Sequence, residues 1–397
     1  MRDTGRVAQA EALGLRLAPL FAGFARFVAA ETQRRNHRGP LHFLAREGLF
    51  LEAVVRRSGL LPNQPLIPLH ISRRASFLPS LSDDELATLP RLFARYAEQT
   101  PTSVIASLGP AIGEEAEVLA ETFGDDAAPA ATDPAATARL LVGKAFARRL
   151  RMARDGARDR IRRYLAGRDV AAEGGIALVD LGWSGSMQGD IALLLPRSRP
   201  FGLYLVMTGS GPPGYPPVDR AALFGGKTRP RARPRRPFEM LTNAPGGTTV
   251  GYRETAEGVI RPCFRVTREE DAVWQATIRH VQNGILGGLP SALAKTDAFD
   301  LQRLRRLYED TIFYPEPVLL EAYFRLRHDE SFGLGTAVRL DPGIGWARLL
   351  AALLRPGGLH SVADEVRLCG WPQGWLAQRL SPGVQRWLVP RSLLCRG

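Results

Sequence analysis

The stretch Ile176-Ala-Leu-Val-Asp-Leu-Gly-Trp-Ser-Gly-Ser-Met-Gln188 decides how the rest of the chain is interpreted. Residues 176–179 are apolar and predict a buried parallel strand that ends at Asp180. Small residues then predict a tight loop, and residues 187–195 can continue as a helix. This order is typical of an anion site, because loop N–H groups and the helix N-terminus point at the ligand. The alternative interpretation is a tight turn that binds nothing.

Two further strand ends carry charged side chains. Residues 41–45 predict a short buried strand, followed by the turn Arg46-Glu47-Gly48. Residues 69–71 predict a third strand, and polar residues follow it: Ser72, Arg73, Arg74 and Ser76. Ligands of open α/β sheets bind at the carboxyl ends of strands. The arginines therefore predict a binding site for an anion, and Glu47 predicts contact with a metal ion or a hydroxyl group. Each junction by itself also fits a solvated surface turn.

Composition limits the class of protein. The chain has 397 residues, 45% hydrophobic residues and a net charge of +13, carried almost entirely by arginine. This length and apolar content predict a packed core and exclude a globally disordered chain. The charge indicates a partner rich in phosphate or carboxylate, or an anionic membrane surface. Nucleic acid is disfavoured, because zinc-finger spacings and aromatic-flanked basic motifs are absent.

Cysteines and the N-terminus predict the compartment. The three cysteines are far apart, which argues against a disulfide framework and a cysteine zinc site and favours a reducing compartment. The first residues do not resemble a secretory signal. Residues 7–36 predict an amphipathic core helix, since Arg16 and Arg26 interrupt its apolar run. We expect a cytoplasmic protein. Peripheral contact with the inner face of the membrane is an open alternative.

The remaining patterns predict a doubly wound, mainly parallel α/β sheet over residues 1–265 and a helical C-terminal portion over 266–397. A helical insert covers about 83–166, with a loop at 124–136, and 200–207 forms another strand. Residues 227–237 alternate Arg with Pro and predict a mobile basic segment, either for anionic lipid or only for solubility. A glycine turn near 246 gathers polar side chains: Glu239, Thr248 and Tyr252.

Several enzyme classes lack their motifs in this chain. The DxDxT phosphatase nucleophile, GxxxxGK[ST], HExxH and GxSxG are all missing from the sequence. The six histidines show no ligand spacing, and residues 182–185 do not form a GxGxxG fingerprint. A triad hydrolase, a zinc enzyme and a nicotinamide enzyme are therefore disfavoured.

Four blocks occur in a fixed order: Phe43-Leu-Ala-Arg-Glu-Gly48, Ser72-Arg-Arg-Ala75, Val179-Asp-Leu-Gly-Trp-Ser-Gly-Ser-Met-Gln188 and Ala244-Pro-Gly-Gly-Thr-Thr-Val-Gly-Tyr252. They resemble the signature blocks of a bacterial family often labelled HAD-superfamily hydrolase in polysaccharide gene clusters. Its two-domain members join a HAD phosphatase to a domain similar to phosphoribosyltransferases. The resemblance covers residues 10–255. It implies that PRPP or another phosphosugar is the donor and that a glycan or polyprenol-linked glycan is the acceptor. With PRPP, the group transferred is 5-phosphoribosyl.

The resemblance also implies roles for individual residues. Asp180 would bind the ribose hydroxyls, and the loop 182–186 would hold the 5-phosphate. Arg46, with Glu47 through Mg²⁺, and Arg73 or Arg74 would hold the pyrophosphate. Glu239 is the candidate base, and Glu47 and Asp180 are the candidate metal ligands. The full set of implied substrate-binding residues is Gly48, Arg73, Arg74, Gly182, Trp183, Ser184, Gly185, Ser186, Gln188, Thr248 and Tyr252.

The chain departs from the family pattern in three respects. Glu47 stands where the family usually has aspartate, and Asp180 is a single acid where ordinary phosphoribosyltransferases have two. The HAD phosphatase domain has no counterpart in these residues. Two alternatives therefore remain open: a HAD-like phosphohydrolase, and a catalytically degenerate scaffold that binds a phosphosugar or glycolipid.

Overall fold

A computed structural model describes residues 2–82, 100–171, 173–209, 214–231, 234–295, 300–329, 337–355, 358–380 and 383–384. Its centre is a sheet of five parallel strands: β1 (Leu41–Leu44), β2 (Leu66–Leu69), β3 (Gly174–Trp183), β4 (Ser198–Met207) and β5 (Asp219–Phe224). Their order across the sheet is β2-β1-β3-β4-β5. The predicted α/β class with a parallel sheet is confirmed. This order places the topological switch point between β1 and β3, where ligands of doubly wound sheets bind.

Helices surround the sheet on both faces. In chain order they are α1 (Arg2–Arg34), α2 (Ala45–Ser58), α3 (Arg73–Phe77), α4 (Pro101–Leu108), α5 (Glu115–Phe123), α6 (Ala127–Ala130), α7 (Ala136–Val142), α8 (Lys144–Ala166), α9 (Ser186–Leu194), α10 (Arg236–Thr242), α11 (Arg268–Val273), α12 (Arg279–Ala294), α13 (Leu301–Phe313), α14 (Pro317–Phe324), α15 (Trp346–Leu353), α16 (Gly358–Leu368) and α17 (Pro372–Ala377). Two antiparallel hairpins complete the described fold: β6 (Thr248–Glu254) with β7 (Ile260–Arg265), and β8 (Arg327–Asp329) with β9 (Ala337–Arg339).

The two faces of β3 explain its apolar run. Ile176 and Leu178 belong to a buried cluster with residues of α8 and α9. Ala177 and Val179 belong to a different cluster, formed with α1, α2 and α12 on the opposite face. Because successive strand residues point to opposite faces, a strand covered on both sides needs apolar residues at every position.

The N-terminal helix joins the sheet to the C-terminal region. A Cβ at Gly14 of α1 would lie 2.1 Å from the carbonyl oxygen of Val281 in α12, so the two helix backbones are in direct contact. Within the described residues, Thr4–Arg34 is long and apolar enough to cross a membrane, but 67% of its most apolar window is buried inside the protein. Such burial is typical of a core helix. The region after residue 265 packs on the same core as the sheet.

Some predicted boundaries differ from the structure. Residues 46–48 form the first turn of α2 and not a loop, since the chain enters this helix directly from β1 through Ala45 at φ +60°. The predicted loop 124–136 contains α6, and the predicted helix 137–166 is broken at Gly143. Helices α4 to α8 bury a small core of their own. The part of the predicted insert at 83–99 lies outside the described residues.

Candidate functional site

A cavity of about 900 Å³ lies at the carboxyl ends of β1, β2 and β3, next to the switch point. Its walls come from sequence segments far apart in the chain, including the start of α2, the β3–α9 loop, α10 and the C-terminal region. Most of the predicted site residues line it: Arg46, Glu47, Arg73, Arg74, Asp180, Gly182, Trp183, Ser184, Ser186, Glu239 and Thr248. The topology therefore brings together side chains that sequence patterns could only place on separate strand ends.

Glu47 at the start of α2 and Asp180 near the end of β3 form the acidic part of the cavity. Asp180 is only 4% exposed, and one of its oxygens accepts a hydrogen bond of 2.8 Å from the Leu181 N–H. Burial raises the pKa of Asp180 well above its ordinary value, and repulsion from Glu47 raises it further. Burial also raises the pKa of Glu47, although the Arg46 charge acts in the opposite direction. Both carboxylates thus lie where a cation or hydroxyl donors would stabilise their charge.

Glu239 approaches these carboxylates from α10. One of its oxygens accepts a hydrogen bond of 2.7 Å from the indole N–H of Trp183, the last residue of β3. Its negative charge contributes to the raised pKa of both Glu47 and Asp180. Since Trp183 positions one carboxylate oxygen, the other oxygen of Glu239 is available to accept a proton or hydrogen bond from a ligand.

The Arg/Pro segment supplies a cation to the cavity. Among the described residues of this segment, Arg229 donates to the Thr208 carbonyl at 2.9 Å. Arg235 donates to the Thr208 hydroxyl and lies over the Trp183 ring, 5.6 Å from its centroid. Burial lowers the pKa of Arg235, the Glu239 charge acts in the opposite direction, and a smaller effect of Arg73 lowers it. Arg235 and Arg73 thus approach the cavity from different walls, with the Glu239 carboxylate close to Arg235.

Arg46 has a partner that the sequence did not indicate. Its guanidinium forms an ion pair of 2.6 Å with Glu270 of α11, and both side chains are mostly buried. The exposed Arg73, at the N-terminus of α3, has no hydrogen-bond or ion-pair partner within the described part of the chain. Of these two predicted anion-binding arginines, Arg73 has its charge unpaired and Arg46 must exchange Glu270 for a ligand.

The end of β3 and the loop that joins it to α9 have glycines for structural reasons. Gly182 adopts φ +147°, and a Cβ there would lie 2.0 Å from the Val206 carbonyl oxygen of β4. Gly185 precedes α9 in the left-handed region at φ +69°. This loop and the start of α9, with the hydroxyls of Ser184 and Ser186, border the cavity. The helix N-terminus therefore faces the space that the carboxylates and arginines surround.

Hydrogen bonds tie the predicted blocks to one another. The Ser72 hydroxyl caps α3 by accepting from the Ala75 N–H and donates to the Thr249 carbonyl of β6 at 2.6 Å. The Tyr252 hydroxyl donates to the His70 carbonyl at 2.9 Å. These contacts hold the loop after β2 against the β6 hairpin, which fixes one wall of the cavity.

Four predicted ligand-binding residues lie outside the cavity lining: Gly48, Gly185, Gln188 and Tyr252. Gln188 is fully buried, donates to the carbonyls of Pro200 and Asp219 and accepts from Tyr204 and Arg220, so its amide is fully used in joining β4 to β5. Gly48 packs against β1, where a Cβ would lie 2.6 Å from the Phe43 carbonyl carbon. These residues support the site without facing it.

The structure adds residues that sequence reasoning missed: Arg235, Arg236, Arg265, Glu270, Trp274, Arg327 and Arg367. Only the first two lay in a segment already marked as basic. The others come from the region after 260, where the sequence shows amphipathic patterns and no local sign of a site. Their role depends on the packing of that region against the sheet.

Within the described residues, no group of three or more His, Cys, Asp or Glu side chains is placed to hold a metal ion. No protein-family model matches the chain. Its sequence is also not significantly similar to any curated protein. The chemistry of the cavity is therefore the basis for assigning a function.

Proposed function

We propose that the cavity binds PRPP and transfers its 5-phosphoribosyl group to a hydroxyl of a glycan acceptor. The observation that carries this proposal is a pair of carboxylates, the buried Asp180 and the half-buried Glu47, that line the switch-point cavity together with Arg73 and Arg235. Carboxylates accept hydrogen bonds from sugar hydroxyls, and arginines bind phosphate bidentately. A ligand that carries both groups matches this combination better than either a neutral sugar or an inorganic anion.

Each part of the donor has a matching part of the cavity. Asp180 would accept hydrogen bonds from the ribose hydroxyls. The loop before α9 and its helix N-terminus would hold the 5-phosphate, because backbone N–H groups there favour negative charge. Arg73 and Arg235 would hold the pyrophosphate, and Arg46 would join them once it leaves Glu270.

The proposed reaction is a substitution at C1 of the ribose. The C1–O bond to pyrophosphate breaks with its electron pair on the leaving group, and the acceptor hydroxyl oxygen forms the new bond to C1. The acceptor proton passes to the oxygen of Glu239 that does not accept from Trp183. Arg73 and Arg235 stabilise the charge that grows on the pyrophosphate, which is electrostatic catalysis by groups already in place.

The carboxylates also fit a magnesium ion that arrives with the donor. Mg²⁺ is usually held by one or two protein carboxylates together with substrate phosphates and water, and Glu47 and Asp180 supply two. The ion would neutralise charge on the phosphates and on the carboxylates. Burial raises the pKa of each acid, and a cation beside them would offset the cost of keeping both ionised, which supports this fit.

Calorimetric titration of PRPP with and without Mg²⁺ tests the donor site. We expect Asp180→Asn to weaken binding by about tenfold or more, equivalent to about 1.4 kcal/mol. Asp159→Asn is the matched control, because Asp159 is exposed on α8 and lies outside the cavity lining. Pyrophosphate release in the presence of a glycan acceptor then reports transfer.

Two results would count against the proposal: absence of PRPP binding to the folded wild type, or equal affinity in Asp180→Asn and wild type. Stability separates a binding defect from a folding defect. Burial penalises the ionised form of Asp180, as its raised pKa shows, so Asp180→Asn should not lower the urea midpoint at neutral pH.

A further inference from the structure

The β6–β7 hairpin presents two arginines directly opposite each other. Arg253 of β6 is in register with Arg261 of β7, and both residues are exposed. Directly opposed residues of an antiparallel pair point to the same face, and like charges in this position destabilise the sheet. We call the face that carries these two residues the outer face of the hairpin. The sequence keeps an unfavourable pair of charges there, where a neutral side chain would be more stable.

Neither of these charges is neutralised by the described part of the chain, where Arg253 and Arg261 have no hydrogen-bond or ion-pair partner. The adjacent carboxylate, Glu254, belongs to the opposite face and accepts two hydrogen bonds, of 2.5 and 2.9 Å, from Arg163 of α8. Tyr252, on the same face as Glu254, is buried against Tyr164. Because successive strand residues alternate between faces, the two arginines project away from the core. They are therefore accessible to a ligand from solvent.

The hairpin leads from this pair of arginines to the cavity. At its other end Thr248 and Arg265 are opposite each other in register, and both residues line the cavity. Arg261 and Arg265 are separated along β7 by about 14 Å, since an antiparallel strand rises about 3.4 Å per residue. Gly251 and Cys263 are opposite each other between these points, and a Cβ added at Gly251 would have no atom within 4 Å. This stretch of the outer face therefore has room for a bound chain.

The spacing and the chemistry of the outer face suit a chain-like anion. A ligand that contacts both the cavity and the arginine pair must extend over about 14 Å, which suits a polymer and not a single sugar. Guanidinium groups bind carboxylates and phosphates through two parallel hydrogen bonds. A membrane surface would require large apolar side chains beside the basic ones, whereas Gly251 and Cys263 occupy the middle of this face. A hydrophilic polymer with negative charges fits these observations best.

We infer that the outer face of the hairpin binds an anionic stretch of the acceptor polysaccharide, whose carboxylates or phosphates pair with Arg253 and Arg261 while the end of the chain lies in the cavity. The inference rests on the proposed function, because it takes the cavity to transfer a sugar to a glycan. It specifies a charged acceptor polymer and a recognition site outside the cavity lining. Uronic acid chains and sugar phosphate chains share this chemistry, and binding experiments separate them.

The test is calorimetric titration of the full chain at one fixed ionic strength, because salt screens exposed charges. The probes are hexagalacturonate as a carboxylate chain, an oligomer of glycerol phosphate as a phosphate chain, and maltohexaose as a neutral chain. We expect at least one anionic chain to bind about tenfold or more tightly than maltohexaose, because only the anionic chains can pair with the arginines. Tighter binding of hexagalacturonate identifies a uronic acid acceptor, and tighter binding of the glycerol phosphate oligomer identifies a sugar phosphate acceptor.

Variants locate the site. Arg253→Gln and Arg261→Gln should each weaken binding of the preferred anionic chain about fivefold and leave the affinity for PRPP within about twofold. Arg57→Gln is the matched control, because Arg57 is also exposed and without a partner in the described chain but lies in the last turn of α2, outside the cavity lining. Urea denaturation adds a second readout. Since the opposed charges repel, Arg253→Gln should unfold at the same or a higher urea concentration than wild type, and a lower midpoint would contradict this arrangement.

Equal affinity for maltohexaose and both anionic chains would overturn the inference, as would equal weakening in Arg57→Gln and Arg253→Gln. Tighter binding of a single-stranded hexanucleotide or of phosphatidylglycerol vesicles, lost in Arg253→Gln, would also overturn it by assigning the outer face to another class of partner. The PRPP titration reports the proposed function separately. Absence of PRPP binding alone would refute the donor assignment, whereas absence of anionic chain binding alone would refute only the acceptor site on the hairpin.

Discussion

Replacing Gly182 by alanine separates a structural glycine from a ligand-binding one. The family resemblance implies that Gly182 belongs to a phosphate loop, whereas the structure places it in β3, paired with Val206 of β4. At φ +147° an added Cβ would point into the neighbouring strand, 2.0 Å from the Val206 carbonyl oxygen. The substitution should therefore destabilise the sheet itself.

The size of the effect follows from the geometry. An ordinary contact begins at 3.4 Å, so β3 and β4 would have to separate by about 1.4 Å, the difference between 3.4 Å and 2.0 Å. Overpacking of this kind costs about 1–3 kcal/mol. Holding a non-glycine residue at an unfavourable φ costs about 1–3 kcal/mol more. The expected loss of about 2–6 kcal/mol is a large part of the stability of a typical domain, about 5–15 kcal/mol.

Urea denaturation followed by circular dichroism measures this loss, with Gly175→Ala as the matched control in the same strand. Gly175 is exposed and has no atom within 4 Å of an added Cβ, so we expect a change within about 0.5 kcal/mol. Unfolding free energies of the two variants within about 1 kcal/mol of each other would refute the reasoning. Retained stability combined with lost PRPP binding would instead return Gly182 to the phosphate loop.

Three further substitutions test the description of the site and its supports. Glu270→Gln should free Arg46 and tighten pyrophosphate binding about two- to fivefold in calorimetry, because a partly exposed ion pair is worth about 0.5–1 kcal/mol. Glu269→Gln is the control. Equal pyrophosphate affinity in the two variants would contradict this prediction. Gln188→Ala should lower the unfolding free energy by roughly 2–3 kcal/mol, because it leaves buried groups of β4 and β5 without hydrogen-bond partners. The affinity for PRPP should stay unchanged. Weakened PRPP binding in a stable variant would make Gln188 a ligand. Burial lowers the pKa of His42, so its stabilising effect is present above pH 6.5 and is lost as pH falls through the lowered pKa. His42→Gln should therefore narrow the stability difference between pH 7 and pH 5 in urea titrations, and an unchanged difference would argue against this role.

Strands β1, β3 and β4 were largely predictable, because their signal is local, whereas β2 was predicted at 69–71 and spans Leu66–Leu69. Residues 176–179 and 200–207 are continuous apolar runs, and β3 and β4 contain them. The edge strand β5 was not predicted. Asp219–Phe224 begins with two charged residues, and only its last two residues are fully buried, so it lacks a continuous apolar run. The start of α2 was misplaced because Arg46-Glu47-Gly48 has the composition of a turn, while the helix is held there by packing of Gly48 on β1.

The residues at the strand ends were predictable one by one, and their convergence followed from a general rule about parallel sheets. The partners of these residues were not. The pair Arg46–Glu270 joins residues 224 positions apart, and the placement of Arg235 over Trp183 depends on how the Arg/Pro segment crosses the loop after β4. No sequence pattern encodes such distances, because each contact results from the packing of whole elements.

The amino-acid sequence by itself therefore determined the α/β class, the main strands and the acidic and basic residues that end them, since these depend on local apolar patterns and on residue chemistry. The strand order, the burial that raises the pKa of Asp180 and the arginines that the C-terminal region brings to the cavity were determined by tertiary packing. The physical reason is that burial and electrostatic coupling depend on every element that surrounds a group, including elements hundreds of residues away.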